Sequence, residues 1–244
     1  INGRCPWKDR TSHVRDIGVV FGQRSQLWWD VPVIDSFELL RDIYRVPQNE
    51  YQRNFDELVE LLNLSQIVKT PTRQLSLGQR MRCEIAASLL HSPKILFLDE
   101  PTIGLDAVSK LAVRSFIKEL NQRRGTTVIL TTHDMQDIEA LTSRVILIGK
   151  GKILLDGALE SLKKQFSGGK ILRIEYQGST PELPKGLSWQ ERGKNHGVLL
   201  LAPELLSVSE AISSLSAQVE LRDVSVEDTP IDEIVANLYR EYRI

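Results

Sequence analysis

Cysteine is scarce: Cys5 and Cys83 are the two in 244 residues. They stand far apart and form no metal-ligand spacing. This argues against a disulfide framework or a cysteine zinc site, and a reduced cytoplasmic chain is the simplest reading. Long apolar runs are missing as well. The strongest, Ile95–Leu98 and Val145–Ile148, are strand-sized, far short of the ~20 residues a bilayer-crossing helix needs. Charge of one sign is also lacking. The formal net charge is -1, so no basic stripe marks a nucleic-acid partner, and none is expected. There are no internal repeats and no low-complexity tracts. The chain begins at Ile1 without a signal-like opening, which suggests an incomplete amino end.

What is present is ordinary for a soluble globular protein, with 41% hydrophobic and 26% charged residues. The length suits one large domain, or one domain and a small companion. Short apolar runs at Ile17–Phe21, Ile95–Leu98, Thr127–Thr131 and Val145–Ile148 read as buried parallel strands. Between the last three lie helical stretches. Ala107–Arg124 stops at Gly125, and Asp134–Leu141 is capped by Asp134. This alternation predicts an α/β domain with a mostly parallel sheet. Residues 31–91 hold no convincing strand. Asp35–Tyr44, Glu50–Leu62 and Gln79–Leu90 have helical apolar spacing and are set apart by Pro47 and Pro71, so a helical block is inserted after the first strand. After Phe166 the texture changes. Ser167-Gly168-Gly169 reads as a linker. Strands are expected at Leu172–Tyr176, Gly197–Ala202 and Val219–Val226, and helices at Val208–Leu215 and Pro230–Tyr242. Residues 168–244 thus form a small α+β domain after a first domain spanning 1–167, whose helical subdomain covers about 31–92. The acids Asp223, Glu227, Asp228, Asp232 and Glu233 read as a solvated face.

The sharpest local signal is Ile95-Leu96-Phe97-Leu98-Asp99-Glu100-Pro101-Thr102. A buried strand there ends in two adjacent acids, where open α/β sheets place their ligands. The first acid suits water-mediated Mg²⁺ binding, and the second suits polarising an attacking water; a solvated strand end is the plainer alternative. Leu75-Ser76-Leu77-Gly78-Gln79-Arg80 leads into a helix. Ser76 suits its cap, Gly78 permits close backbone approach, and the helix start offers N–H groups to phosphate. Taken alone, this is an ordinary capped helix. Thr131-Thr132-His133-Asp134 follows a strand, and its histidine could donate to a phosphate oxygen or be merely structural. Gln23 after the first strand and Gly104-Leu105-Asp106 mean little singly.

Taken in order, these signals resemble the ABC-type ATPase family. Its members carry a Q-loop, a signature, a Walker B strand, a D-loop and an H-loop in that succession, here over about Ile17–Gly157. The resemblance implies roles. Asp99 would hold Mg²⁺ through water, Glu100 would be the general base, and His133 would sense the γ-phosphate. Gln23 would touch Mg²⁺ or the attacking water. Asp106 would contact an opposite subunit in a homodimer, and Ser76, Gly78 and Gln79 would bind the ATP held there. It implies ATP and Mg²⁺ as cofactors, membrane permease subunits as partners, and a peripheral place on the cytoplasmic face of the plasma membrane. There are departures. Leu77 stands where the family usually has glycine. Phe21-Gly22-Gln23-Arg24-Ser25-Gln26 is a residue longer than usual, which makes Gln26 a rival to Gln23. No G-x-x-x-x-G-K-[ST] phosphate loop occurs, nor the aromatic that stacks on adenine. The expectation is a coding sequence that continues upstream, with a degenerate subunit as the rival. Val19–Phe37, with Trp28-Trp29-Asp30, resembles a drug-exporter branch of viologen or daunorubicin type. Members of that branch also carry a small carboxy-terminal domain. Trp28 and Trp29 are either core or a surface for the permease. A non-hydrolysing or regulatory member of the family remains the alternative. The DNA-repair kind would need a coiled coil, and the ribosomal kind two tandem halves; neither is visible.

Overall fold

A computed structural model describes residues 1–22, 24–166 and 169–241. It divides into two compact units, Ile1–Leu141 and Thr142–Ile244.

In the first unit, α1 (Arg10–Arg15) precedes β1 (Ile17–Phe21). The helical block follows as α2 (Val33–Tyr44), α3 (Gln48–Leu61) and α4 (Leu77–Leu89). Then come β2 (Ile95–Asp99), α5 (Ala107–Arg124), β3 (Thr127–Thr131) and α6 (Met135–Leu141). Helix α2 ends on Arg45 in the left-handed conformation, and Pro47 starts α3; proline suits that place because it has no N–H to leave unpaired. Helix α4 opens on a capping box, in which Gln79 N–H donates to Ser76 Oγ and Ser76 N–H to Gln79 Oε1. Helix α5 starts on Asp106 and stops at Gly125, which has a φ of 62°. The side-chain amide of Asn54 reaches from α3 to the Leu90 carbonyl at 2.8 Å. Arg124, at the end of α5, donates to both Glu57 oxygens on α3, which holds the Glu57 carboxyl below its usual range. Beneath these polar ties, Phe37, Leu58, Ile85, Leu89, Leu96, Leu98 and Leu120 are fully buried.

The sheet of this unit is parallel, in the order β1-β2-β3. Its register puts Phe21 level with Asp99, and Asp99 level with Thr131. All three strands therefore release their chains at one carboxyl edge. Strand β3 is only half covered, with Ile129 exposed; it lies at the sheet's margin, not in its middle as a buried run suggests.

The second unit opens with β4 (Arg144–Gly149) and β5 (Lys152–Ala158), then α7 (Leu159–Phe166). It continues with β6 (Lys170–Gln177), β7 (Leu187–Arg192), β8 (His196–Leu201), α8 (Val208–Ser216), β9 (Glu220–Asp228) and α9 (Ile231–Glu241). The run Val145–Ile148 is thus not a fourth parallel strand: β4 pairs antiparallel with β5. The turn between them, Lys150-Gly151, has positive φ at both residues, the geometry that matches a hairpin's twist. Because β4 finds its partner downstream, the units part at Leu141 rather than near 167. Ser167 and Gly168 lie outside the described residues, as does the expected helix end at Tyr242. Four antiparallel strands, in the order β7-β8-β6-β9, form the larger sheet, packed on a core of Leu172, Ile174, Tyr176, Leu199, Ala211 and Leu215. Of the acids there, Asp228 pairs with Lys170 and Glu227 with Arg173.

Candidate nucleotide-hydrolysis site

The level strand ends bring together residues from three distant stretches of sequence. Asp99 closes β2, and its carboxylate accepts the Thr131 hydroxyl from the end of β3. Glu100 follows with a φ of 51°, a left-handed backbone that is costly for a residue with a side chain and is found where the surroundings enforce it. Here the enforcement is visible: Glu100 N–H donates to the Thr131 carbonyl at 2.9 Å. The turn swings the Glu100 carboxylate to His133, whose Nδ1 lies 2.8 Å from Glu100 Oε1. That hydrogen bond, and then the negative charge of Glu100, raise His133 above the ordinary imidazole range. The protonated pair is thus favoured at low pH, and its contribution fades as pH climbs through the raised value. His133 is largely exposed, with 73% of its side chain accessible.

Gly22 makes room for this turn. Its N–H donates to the Asp99 carbonyl at 2.7 Å. A Cβ there would sit 2.3 Å from the Glu100 carbonyl and 2.9 Å from Ile103. Backbone oxygen does not yield as a flexible side chain would. Gly22→Ala is therefore expected to destabilise the protein by about 1–3 kcal/mol, the usual range for overpacking, as read by urea unfolding. An unchanged midpoint would mean the approach is looser than described.

Behind His133 lies a network that the sequence reading passed over. Asp137, on α6, is fully buried. It accepts from Arg114 Nε on α5 at 2.5 Å, from the Thr102 hydroxyl just past the acid pair, and from the Thr132 hydroxyl at 3.3 Å. Asp134 takes Lys110 Nζ at 2.5 Å and Arg114 at 3.4 Å; these cations, Lys110 first, hold its carboxyl below the usual range. The loop carrying His133 is thereby pinned to both α5 and the stretch after Glu100. Nothing in the sequence sets Asp137 apart from the exposed Gln136 and Glu139 on the same helix.

The remaining expected site residues fall into two groups. Asp106 is engaged as the α5 cap, accepting Ser109 N–H and its hydroxyl; these hold its carboxyl low. Ser76 and Gln79 are engaged with each other in the α4 capping box. Gly78 packs where a Cβ would meet Ser109 Oγ at 2.3 Å, so its smallness lets the starts of α4 and α5 approach. This loop and Asp106 are therefore neighbours through Ser109. Gln23 lies outside the described residues. Its rival Gln26 turns to α4, where its side-chain amide donates to the Glu84 carbonyl at 3.1 Å.

The donor set suits Mg²⁺ with a nucleotide. Among the described residues, no cluster of three or more His, Cys, Asp or Glu could hold a metal alone. Asp99 offers one carboxylate, which accepts the Thr131 hydroxyl. Mg²⁺ commonly takes one or two carboxylates and completes its shell with waters and phosphate oxygens.

The parallel sheet and its helices give the first unit an α/β, P-loop NTPase-like fold. Residues 2–103 match the ABC transporter family model, a span that takes in β1, the helical block and the acid pair, while Asp106 and His133 follow it. The chain is 34% identical over 165 residues to the molybdenum import ATP-binding protein ModC of Rhodopseudomonas palustris (strain BisB18), covering 64% of this chain and 42% of that protein. It is 34% identical over 158 residues to the uncharacterized ABC transporter ATP-binding protein YdbJ of Bacillus subtilis (strain 168), covering 65% and 49%. Among solved structures, cbiO1 from Clostridium perfringens, part of the ABC transporter complex cbiONQ, superposes with a TM-score of 0.56 at 26% identity over 65% of each chain. Over these residues the first unit is similar to the ATP-binding domains of ABC transporters. The chain spans less than half the length of these curated relatives.

Proposed function

We propose that this chain is the nucleotide-hydrolysing part of an ABC transporter subunit, turning over ATP with Mg²⁺ and driving a separate membrane permease. The observation that carries this reading is the Glu100–His133 contact of 2.8 Å beside Asp99 at one sheet edge. In this role Glu100 takes the proton from the attacking water. Mg²⁺, when bound through Asp99, would neutralise charge on the phosphates. His133, an exposed donor held in place from behind by the Asp137 network, is placed to give a hydrogen bond to the γ-phosphate. Phosphoryl transfer is mostly positioning and charge stabilisation, and these groups supply the water-activating half. No G-x-x-x-x-G-K-[ST] lies within the 244 residues, so by themselves they should not hydrolyse ATP.

The dimer reading assigns Ser76, Gly78, Gln79 and Asp106 to contacts across two subunits. Their shared position around Ser109 supports a common surface. The pairing of Glu100 with His133 favours a hydrolytic over a merely regulatory member. For direction, Val19–Phe37 favours export. No described helix is long and apolar enough to cross a membrane, which fits a peripheral place beside the permease. The test is phosphate release from ATP and Mg²⁺ by the intact gene product; absence of turnover would overturn the reading.

Trp28 and Trp29 bear on the permease. They are 59% and 52% exposed, so they are not core. Arg80, on α4, stacks over Trp29 at 5.7 Å, and Trp28 N–H is held by Ser36 Oγ at 3.0 Å. Adjacent exposed tryptophans are typical of interface anchors. Replacing both by alanine should leave the melting temperature close to wild type and weaken co-purification with the permease. Aggregation of the double variant would refute this.

A further inference from the structure

Glu84 lies in the middle of α4 and is 4% exposed. Among the described residues no lysine or arginine forms an ion pair with it. Its partners come instead from the loop after β1, nearly sixty residues earlier. The Ser25 hydroxyl donates to Oε1, and Gln26 N–H donates to Oε2 at 3.2 Å. The Gln26 side chain adds its bond to the Glu84 carbonyl at 3.1 Å. Ser25 is itself braced by Leu27 N–H at 3.2 Å, and Leu27 is buried in the core. Burial drives the Glu84 carboxyl above its usual range, and the loop's donors oppose that shift. Arg80, one turn earlier on α4, adds a smaller attraction, so the loop's donors carry most of the compensation that a buried charge requires.

We propose that Glu84 is a positioning residue that ties the loop after β1 to α4, so that a movement of the loop is carried to the helix start at Ser76–Gln79. A helix is a stiff rod. Glu84 stands eight residues beyond Ser76, roughly 12 Å along the axis at 1.5 Å per residue. If the loop shifts without α4, the carboxylate loses its donors inside the protein. Moving both together keeps them. The same loop leads to Trp28 and Trp29, so the tether joins that exposed patch to the residues read here as facing the opposite ATP. This rests on the proposed function only for its consequence in turnover; the tether itself is a mechanical claim.

The test compares wild type, Glu84→Ala, Glu84→Gln and Ser25→Ala in the intact gene product. Hydrogen–deuterium exchange reads the mechanical claim without catalysis. Ser25→Ala, at an exposed residue, should raise exchange both at 24–27 and at the first turn of α4. Increased exchange at the loop alone, or at neither segment, would overturn the tether. Turnover reads the consequence. The kcat should fall about tenfold in Glu84→Ala, the scale of losing one charge-assisted hydrogen bond, and less in Glu84→Gln, with ATP affinity unchanged. Equal losses of affinity and kcat would mark a merely structural residue. Should Glu84→Ala fail to fold, Ser25→Ala and Glu84→Gln still decide. Wild type without turnover would sink the proposed function and leave the exchange result to judge the tether.

Discussion

Glu100→Gln in the intact gene product is expected to abolish ATP hydrolysis while leaving ATP binding intact. Glutamine keeps the length of the side chain and an oxygen at the position that now meets His133 Nδ1. Its backbone demands are also the same, so the left-handed turn at position 100 and its N–H bond to the Thr131 carbonyl have no reason to change. What is lost is the capacity to accept a proton. General-base catalysis contributes about 10²–10⁴-fold, and a fall of that size in phosphate release is the expected result. With hydrolysis blocked and ATP retained, the proposed dimer should accumulate and elute earlier on size exclusion with ATP and Mg²⁺. Turnover at the wild-type rate would remove Glu100 from the role. The 244 residues assayed alone form the complementary control. Correct orientation of a bound reactant is worth roughly 7–11 kcal/mol of barrier. With no phosphate cradle to hold the triphosphate in line, the base has little to act on, so measurable turnover by this chain would refute that half.

Asp137→Ala should be the most destabilising single change in the first unit. It strips Arg114 of its buried partner at 2.5 Å and leaves the hydroxyls of Thr102 and Thr132 without their acceptor. Arg114 is itself buried, with 10% of its side chain accessible. Removing one partner from a buried pair typically costs about 3–5 kcal/mol, and the longer contact of Arg114 with Asp134 at 3.4 Å puts the expected loss at the low end. Chemical denaturation followed by circular dichroism measures this. The double variant Arg114→Met/Asp137→Leu should recover part of the loss, since it removes both charges together. If Asp137→Ala stays within about 0.5 kcal/mol of wild type, the range of ordinary surface substitutions, the network is not holding the His133 loop. If the double variant is no better than the single one, the hydroxyl contacts outweigh the charge.

What could be read from the sequence is what depends on near neighbours. Ser76 as a cap, Asp106 ahead of a helix and Gly125 at its end are local arrangements, and each sits in the fold as its chemistry suggests. The helical block between Val33 and Leu89 followed from apolar spacing within single helices. The acid pair was legible because a strand that ends in Asp99-Glu100 needs no distant information. Strand pairing is different. The run Val145–Ile148 states that there is a strand but not which strand it meets, nor that Ile146 and Ile148 stay exposed, and β5, with its mixed Lys-Ile-Leu-Leu-Asp, did not advertise itself. Strand β7 was missed because only Leu187 and Trp189 mark its apolar face, too short a pattern to stand out. Glu84 and Asp137 were invisible because a carboxylate on a helix looks like a solvated one until its partners arrive from Ser25 and Thr102. Gly22 reads as a turn residue; only the fold shows a carbonyl where its Cβ would be.

The level strand ends have a consequence for how this chain can tolerate change in length. Side chains of a strand alternate between faces, so a slip of one residue turns every one of them over. An added residue within Ile95–Asp99 would detach the acid pair from Thr131 and point the wrong side chains into the core. An added residue in the long excursions between β1 and β2, away from the tether and the caps, changes only the path by which the chain returns. The site is thus measured out by three five-residue stretches, set against one another like marks on parallel rulers. The intervening lengths are where members of such a family are free to differ.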